Sequence, residues 1–148
     1  MRQTYESQSD RERELRLKKR LEAFFNCTLD KMPFKYSTDY MRFSGGKVTG
    51  LIEVKHRHVS SQDFDTYMIS LHKIKESLEY AELIGVPFGL VVNWRDKIGA
   101  LKITREMITP DRIKTQKVNY RNDEGDIEPC VHFDIADFSI ILKNKEEL

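Results

Sequence analysis

Two spacings of apolar residues run along this chain, and the change from one to the other marks its elements. Through residues 9–26, Leu17, Leu21, Phe24 and Phe25 recur three and four apart among Arg, Lys and Glu, the period of an amphipathic helix. Ser9-Asp10-Arg11-Glu12 has the form of a capping box at its start. At about 100° per residue, Glu14 falls on the line of Leu17 and Leu21, whereas Glu12 and Glu22 fall outside it. Residues 1–8 read as a disordered start. Residues 27–43 read as two short strands, or one hairpin interrupted near residues 31–33, because Phe34, Tyr36, Thr38 and Tyr40 alternate with more polar neighbours. Ser44-Gly45-Gly46-Lys47 predicts a turn, since adjacent glycines reach positive φ without steric penalty, and it returns the chain as a strand over residues 48–56.

The helical spacing then resumes. Phe64, Tyr67, Leu71, Ile74, Leu78 and Ala81 predict a long helix that ends at Gly85 and Pro87. PFGLVVNW (residues 87–94) reads as a buried strand and residues 98–103 as another, so the helix makes a crossover. A short helical piece is expected within residues 104–114, and a hairpin pairs residues 116–120 with 127–133 around a turn at 122–125. Residues 136–142 suit helix or strand, and 143–148 read as a frayed end. The expected fold is α/β, a central mixed sheet flanked by helices, in one domain over residues 1–148. Its core covers about 9–103 and a C-terminal β-hairpin extension about 104–148.

Composition narrows the class. At 148 residues the chain can bury one sizeable core. A net charge of +1 does not by itself argue for nucleic acid. The cations are uneven, however: Arg11, Arg13, Arg16, Lys18, Lys19 and Arg20 crowd the first helix, and Lys55, His56, Arg57 and His58 follow the central strand. A charged helix face is commonly just solvated. Cys27 and Cys130 lie far apart with no CxxC neighbour, which makes a reduced, intracellular protein the default. The polar N-terminus lacks the apolar stretch of a signal peptide, and the longest apolar run, residues 83–92, is too short for a bilayer. No membrane association is expected.

The chemistry concentrates in residues 39–55, DYMRFSGGKVTGLIEVK. In an extended strand Leu51, Glu53 and Lys55 share one face, and Ile52 and Val54 the other. So apolar a strand is buried, and charges at its end cost energy that needs a reason. The Gly-Gly turn brings Asp39 back beside it. Two carboxylates about 4 Å apart repel by something like ~4 kcal/mol at an effective dielectric near 20, which a dication would more than offset. Magnesium suits such a site, preferring oxygen ligands and keeping several waters. Lys55 is placed to orient or deprotonate water, or to stabilise charge on a phosphate. An acid-x-Lys triplet arises about once by chance in a chain of this length, but this one is alone in the sequence, ends a hydrophobic strand and is tied by a hairpin to an upstream aspartate.

The order helix, strand, strand with Asp39, strand with Glu53-Val54-Lys55, helix, strand resembles the core of the PD-(D/E)xK nuclease superfamily over roughly residues 9–95. The resemblance implies a restriction-endonuclease-like αβββαβ core and a magnesium-dependent DNA endonuclease, with manganese as a substitute ion. It implies Asp39 and Glu53 as metal ligands, the carbonyl of Val54 as an additional ligand, Lys55 as the catalytic lysine and Glu14 as an acid from the first helix. Glu14, Leu17 and Leu21 repeat a spacing found in Holliday-junction resolvases of the superfamily, which points to branched DNA and a homodimer. Thr38 stands where the motif has proline, and Asp30 is the alternative to Asp39.

Secondary candidates for nucleic-acid contact are Arg57, Gln62, Lys73 and Lys75, with Lys75 expected nearer the apolar stripe of its helix and Lys73 pointing away. His56 and His58 lack the partners of a zinc site, and Trp94, Tyr120, His132 and Phe133 read as packing. Two other classes remain open: a nucleic-acid-binding module of the same fold without hydrolysis, and an interaction domain whose triplet is a surface ion pair.

Overall fold

Side-chain alternation along one long strand sorts the interior into two layers. The computed structural model describes residues 8–33, 36, 38–117 and 127–144. Helix α1 (Gln8–Phe25) leads into β1 (Thr28–Lys31), β2 (Tyr40–Ser44) and β3 (Lys47–His56). Then follow β4 (Thr66–Ser70), α2 (Leu71–Ile84), β5 (Phe88–Asn93), β6 (Lys97–Ile103), β7 (Ile113–Lys117), β8 (Ile127–Asp134) and β9 (Ser139–Lys143). A six-stranded mixed sheet has the order β1-β2-β3-β5-β6-β9, with β3 and β5 parallel across the α2 crossover and the other neighbours antiparallel. A second sheet, β4-β8-β7, is antiparallel. The fold is α/β, with the expected αβββαβ core.

Along β3, Ile52 and Val54 face α1 and pack with Leu17, Leu21, Leu29, Tyr40, Val91 and Ile98. Leu51 faces the other way, into a larger cluster with Leu90 and Val92, Ile74 and Leu78 of α2, and Val131 and Phe133 of the second sheet. Gly45 and Gly46 take φ of 59° and 76°, the left-handed pair that a two-residue hairpin requires. At the end of α2, Gly85 takes φ 84° and its N–H donates to the Ala81 carbonyl, closing the helix where glycine was expected.

Several expectations are corrected. The long helix starts at Leu71 rather than near Phe64, because residues 66–70 are β4, where Tyr67 and Ile69 are buried in alternation and pair with Phe133 and Val131 of β8. The apolar spacing there fitted either period, and the partner strand lies some sixty residues away in sequence. Phe64, at 61% exposed, belongs to neither element. Helix α1 already includes Gln8, so Ser9 lies within it rather than ahead of it, and Phe24 is 48% exposed while Phe25 packs inward.

Strand β2 begins only at Tyr40. Residues 104–114 hold two single-turn 3-10 helices, Arg105–Met107 and Pro110–Arg112. The ambiguous tail is a single 3-10 turn, Ile135–Asp137, followed by a strand with Lys143 its last residue and Asn144 anchored to the Asp96 carbonyl. The disordered start over residues 1–7, Phe34, Tyr120, the turn at 122–125 and the end over 145–148 lie outside the described residues. Among the described residues, no helix is long and apolar enough to cross a membrane.

Trp94, Phe138 and Tyr67 form an edge-to-face aromatic cluster beneath β6, with Trp94 and Phe138 centroids 5.2 Å apart. A Cβ at Gly99 would meet Trp94 at 2.8 Å and Phe138 at 3.1 Å. Gly99→Ala is therefore expected to lose about 1–3 kcal/mol by overpacking, read as a lower urea midpoint at unchanged slope.

Candidate active site

Pairing between β2 and β3 ends at Tyr40 and Ile52. Beyond that point one edge of β3 has no strand neighbour, and the Asp39 side chain takes its place: the Val54 N–H donates to Asp39 Oδ2 at 2.8 Å. N–H and C=O of one extended residue point to the same edge, so the Val54 carbonyl faces the Asp39 side as well. The half-buried Asp39 thus sits at the open edge by virtue of where the hairpin register stops.

Glu53 projects into the α2 face and is only 1% exposed. A lone buried carboxylate would cost several kcal/mol; here Oε1 accepts from Lys73 Nζ at 2.8 Å and lies 3.1 Å from Lys55 Nζ. Its Oε2 is buried with no hydrogen-bond partner among the described residues. Burial, and then the Glu53 charge, push the Asp39 carboxyl up to about 6, against the Val54 N–H and the two lysines. Lys55 is lowered, first by burial and then, against Glu53, by the neighbouring Lys73. Burial also presses on Lys73, but the charge and hydrogen bond of Glu53 and the bond to Lys55 outweigh it, and Lys73 is raised. The two lysines are therefore unequal, one biased toward the amine and the other toward the cation.

A second polar contact fixes this arrangement. Thr38 Oγ1 and Ser77 Oγ are 2.8 Å apart, both buried, so α2 grips the chain just before Asp39 with one residue and Glu53 with another a turn earlier. The hydroxyl of Thr38 thus gives the motif's missing proline position a structural use. Sequence reasoning passed over Ser77, whose signal was a lone hydroxyl inside the apolar stripe between Ile74 and Leu78. It also reversed the lysines of α2. Lys73 reaches Glu53, while Lys75 is largely exposed and lies 3.9 Å from Glu79. At about 100° per residue, dropping Phe64 and Tyr67 from the stripe and adding buried Ser77 turns the inward line roughly 30° toward Lys73.

The remaining candidates are spread around this centre. Glu14 does face the sheet, where Oε1 accepts from Tyr40 Oη at 2.7 Å and Lys31 Nζ at 2.6 Å. The described residues contain no group of three or more His, Cys, Asp or Glu suited to a metal ion, so Glu14 is not clustered with Asp39 and Glu53. Asp30 is exposed in β1, opposite Met41. Arg57 continues the face of Glu53 and Lys55: its Nη2 donates to Tyr67 Oη at 2.7 Å and its guanidinium lies 4.9 Å from that ring. Gln62 is exposed in the turn after β3, its N–H bonded to Ser60 Oγ at 3.2 Å. His56 meets Asn93 at 3.2 Å.

Asp39 at the Val54 edge and Glu53 on the same strand, its Oε2 buried with no hydrogen-bond partner among the described residues, offer oxygen donors of the kind a hard divalent ion prefers. The raised Asp39 has a consequence for stability. The folded protein holds a proton there that the unfolded chain has already released, so stability falls as pH rises from the ordinary 3.8 to about 6. Asp39→Asn, which can still accept from Val54, should stabilise the metal-free protein by about 1–2 kcal/mol at neutral pH and by nothing near pH 3.5 or below. Chemical denaturation in chelator at the two pH values checks this.

Among solved structures, the chain is similar to Hjc, a Holliday junction resolvase of Archaeoglobus fulgidus, with a TM-score of 0.51 at 13% identity, covering 81% of this chain and 88% of that one. At that identity the likeness concerns the fold. No curated protein matches the sequence. The profile of the family described as "Phage putative PDDEXK endonuclease" matches residues 1–141, and the chain belongs to that family.

Proposed function

We propose that the protein is a magnesium-dependent endonuclease that hydrolyses DNA phosphodiester bonds. The observation that carries the reading is the buried, unpartnered Glu53 Oε2 beside Asp39, at the open edge of β3. Family membership supports the reaction class. Asp39, Glu53 and the Val54 carbonyl would hold the ion, with manganese as a substitute. When bound there, magnesium supplies Lewis-acid polarisation of the phosphate and offsets the repulsion between the carboxylates.

The two lysines then have separate tasks. Lys55, lowered by burial and by Lys73, is suited to take the proton of an attacking water; Lys73, raised by its contact with Glu53, orients that carboxylate and balances charge on the phosphate. Arg57, further along the same face, is assigned to a backbone phosphate, with Gln62 and Lys75 as outer contacts. Glu14 is assigned as an outer acid that braces Tyr40, next to Asp39 in sequence. Branched DNA and a homodimer are proposed as the finer substrate and assembly. The resolvase-like fold and the Glu14, Leu17, Leu21 spacing support that step, and paired nicks require two active sites.

A magnesium titration against supercoiled plasmid, single-stranded DNA and a four-way junction tests the reading. Cleavage should require the ion and fall at least about 100-fold in Glu53→Ala and in Lys55→Ala. Intact substrates despite tight, salt-sensitive binding would instead assign a binding module without hydrolysis. Glu14→Gln should keep activity within about 10-fold of wild type, whereas a loss matching Glu53→Ala would make Glu14 a ligand. In Lys73→Gln the ascending limb of the pH-rate profile should move to higher pH, because removing the neighbouring cation raises Lys55 and delays its deprotonation.

A further inference from the structure

A cavity lies next to the carboxylates rather than over them, at the end of the sheet where β3, β5 and β9 finish. It is an open groove of about 800 Å³. Arg13 and Arg20 from α1, Arg57, Arg95 and Lys143 line it, with His56 and His58 between them and, among the described residues, no carboxylate in the lining. The whole chain has 25 Lys and Arg against 24 Asp and Glu, so this is a local concentration of charge and not a basic protein's average.

Its floor is built and cross-tied. Asn144 donates to Asn93 Oδ1 at 2.7 Å and the Trp94 carbonyl at 2.6 Å, and accepts from Arg20 Nη1 at 2.9 Å. The Arg95 N–H bonds the Val59 carbonyl at 3.0 Å, and the Arg57 N–H bonds that of Asn93 at 2.9 Å. Asp96, the acid nearest along the chain, turns its carboxylate to the N–H and hydroxyl of Ser61 at 2.8 and 2.6 Å. Arg13 lies 3.6 Å from Asp10, an exposed pair that is weak in water. Cations gathered in one groove, with that exposed Asp10 pair beside Arg13, repel one another, and they match a polyanion with regularly spaced charges.

We propose that this groove binds the phosphate backbone of the nucleic acid as it leaves the catalytic centre, with Arg57 as the junction between the two. Arg57 stands two residues beyond Lys55 on one strand face, roughly 7 Å along, and is braced on Tyr67. The identity of the polyanion rests on the nuclease reading; the site itself is additional to it. Contact with substrate thus extends from the α2 face around the strand ends to α1.

The test is fluorescence anisotropy of a short labelled DNA duplex in chelator, across a salt series. Arg95→Glu with Lys143→Glu should weaken binding at least about 10-fold and reduce the salt slope by about two. The control is Lys102→Glu with Lys114→Glu, which removes the same charge from exposed positions elsewhere and should change affinity far less. Circular dichroism confirms that both variants fold. Equal affinities and slopes for the two double variants, or no binding by wild type, overturn the groove. Cleavage in magnesium keeps the two readings apart: a wild type that binds through the groove and cuts nothing removes the nuclease and leaves the groove. A wild type that cuts while the groove variants bind like the controls does the reverse.

Discussion

The buried negative charge of Glu53 is the constraint around which the rest of this structure is arranged. A carboxylate at 1% exposure in the middle of a sheet is tolerable only with compensating cations and hydrogen bonds. Lys55 comes from the same strand face at no topological cost. Lys73 has to be delivered by another element, which requires α2 to cross from the end of β4 over the sheet with one particular side turned inward. The same side of α2 presents Ser77 to Thr38, so the helix that neutralises Glu53 also sets the chain that carries Asp39. Compensation is incomplete, because Oε2 has no partner among the described residues; beside it, burial and then the Glu53 charge hold Asp39 above its ordinary range.

The sheet divides the labour between its faces. On the α2 face lie the carboxylates and the two unequal lysines, with Arg57 and Tyr67 at their border. On the α1 face, Leu17 and Leu21 seal the hydrophobic layer, and two of the helix's cations line one groove with Arg95 after β5 and Lys143 at the end of β9. The first helix is therefore more than a solvated face: its apolar stripe holds the strands that position the acids, while Arg13 and Arg20 belong to the groove at their ends. Glu14 stands between these roles, bonded to Tyr40 beside Asp39 but, among the described residues, outside any metal-suited cluster of three acids.

Much of this was legible in the chain because it depends on short-range pattern. The period-two alternation of residues 51–55 put Glu53 and Lys55 on one face, Gly45 and Gly46 required the hairpin that returns Asp39, and Gly85 with Pro87 marked the end of α2. What stayed hidden depends on partners distant in sequence. Residues 64–71 satisfy a helical and an extended spacing alike, and only pairing with β8 makes β4 a strand. That misreading rotated the inward side of α2 and exchanged Lys73 for Lys75. The Thr38–Ser77 contact, the unpartnered Glu53 oxygen and the meeting of Arg13, Arg95 and Lys143 arise from elements that have no local reason to be neighbours. The sequence by itself determined which residues could carry the chemistry, since side-chain direction in a strand is a local property. The tertiary structure alone decided which charges face one another, because burial and electrostatic coupling exist only once the sheets and helices have packed.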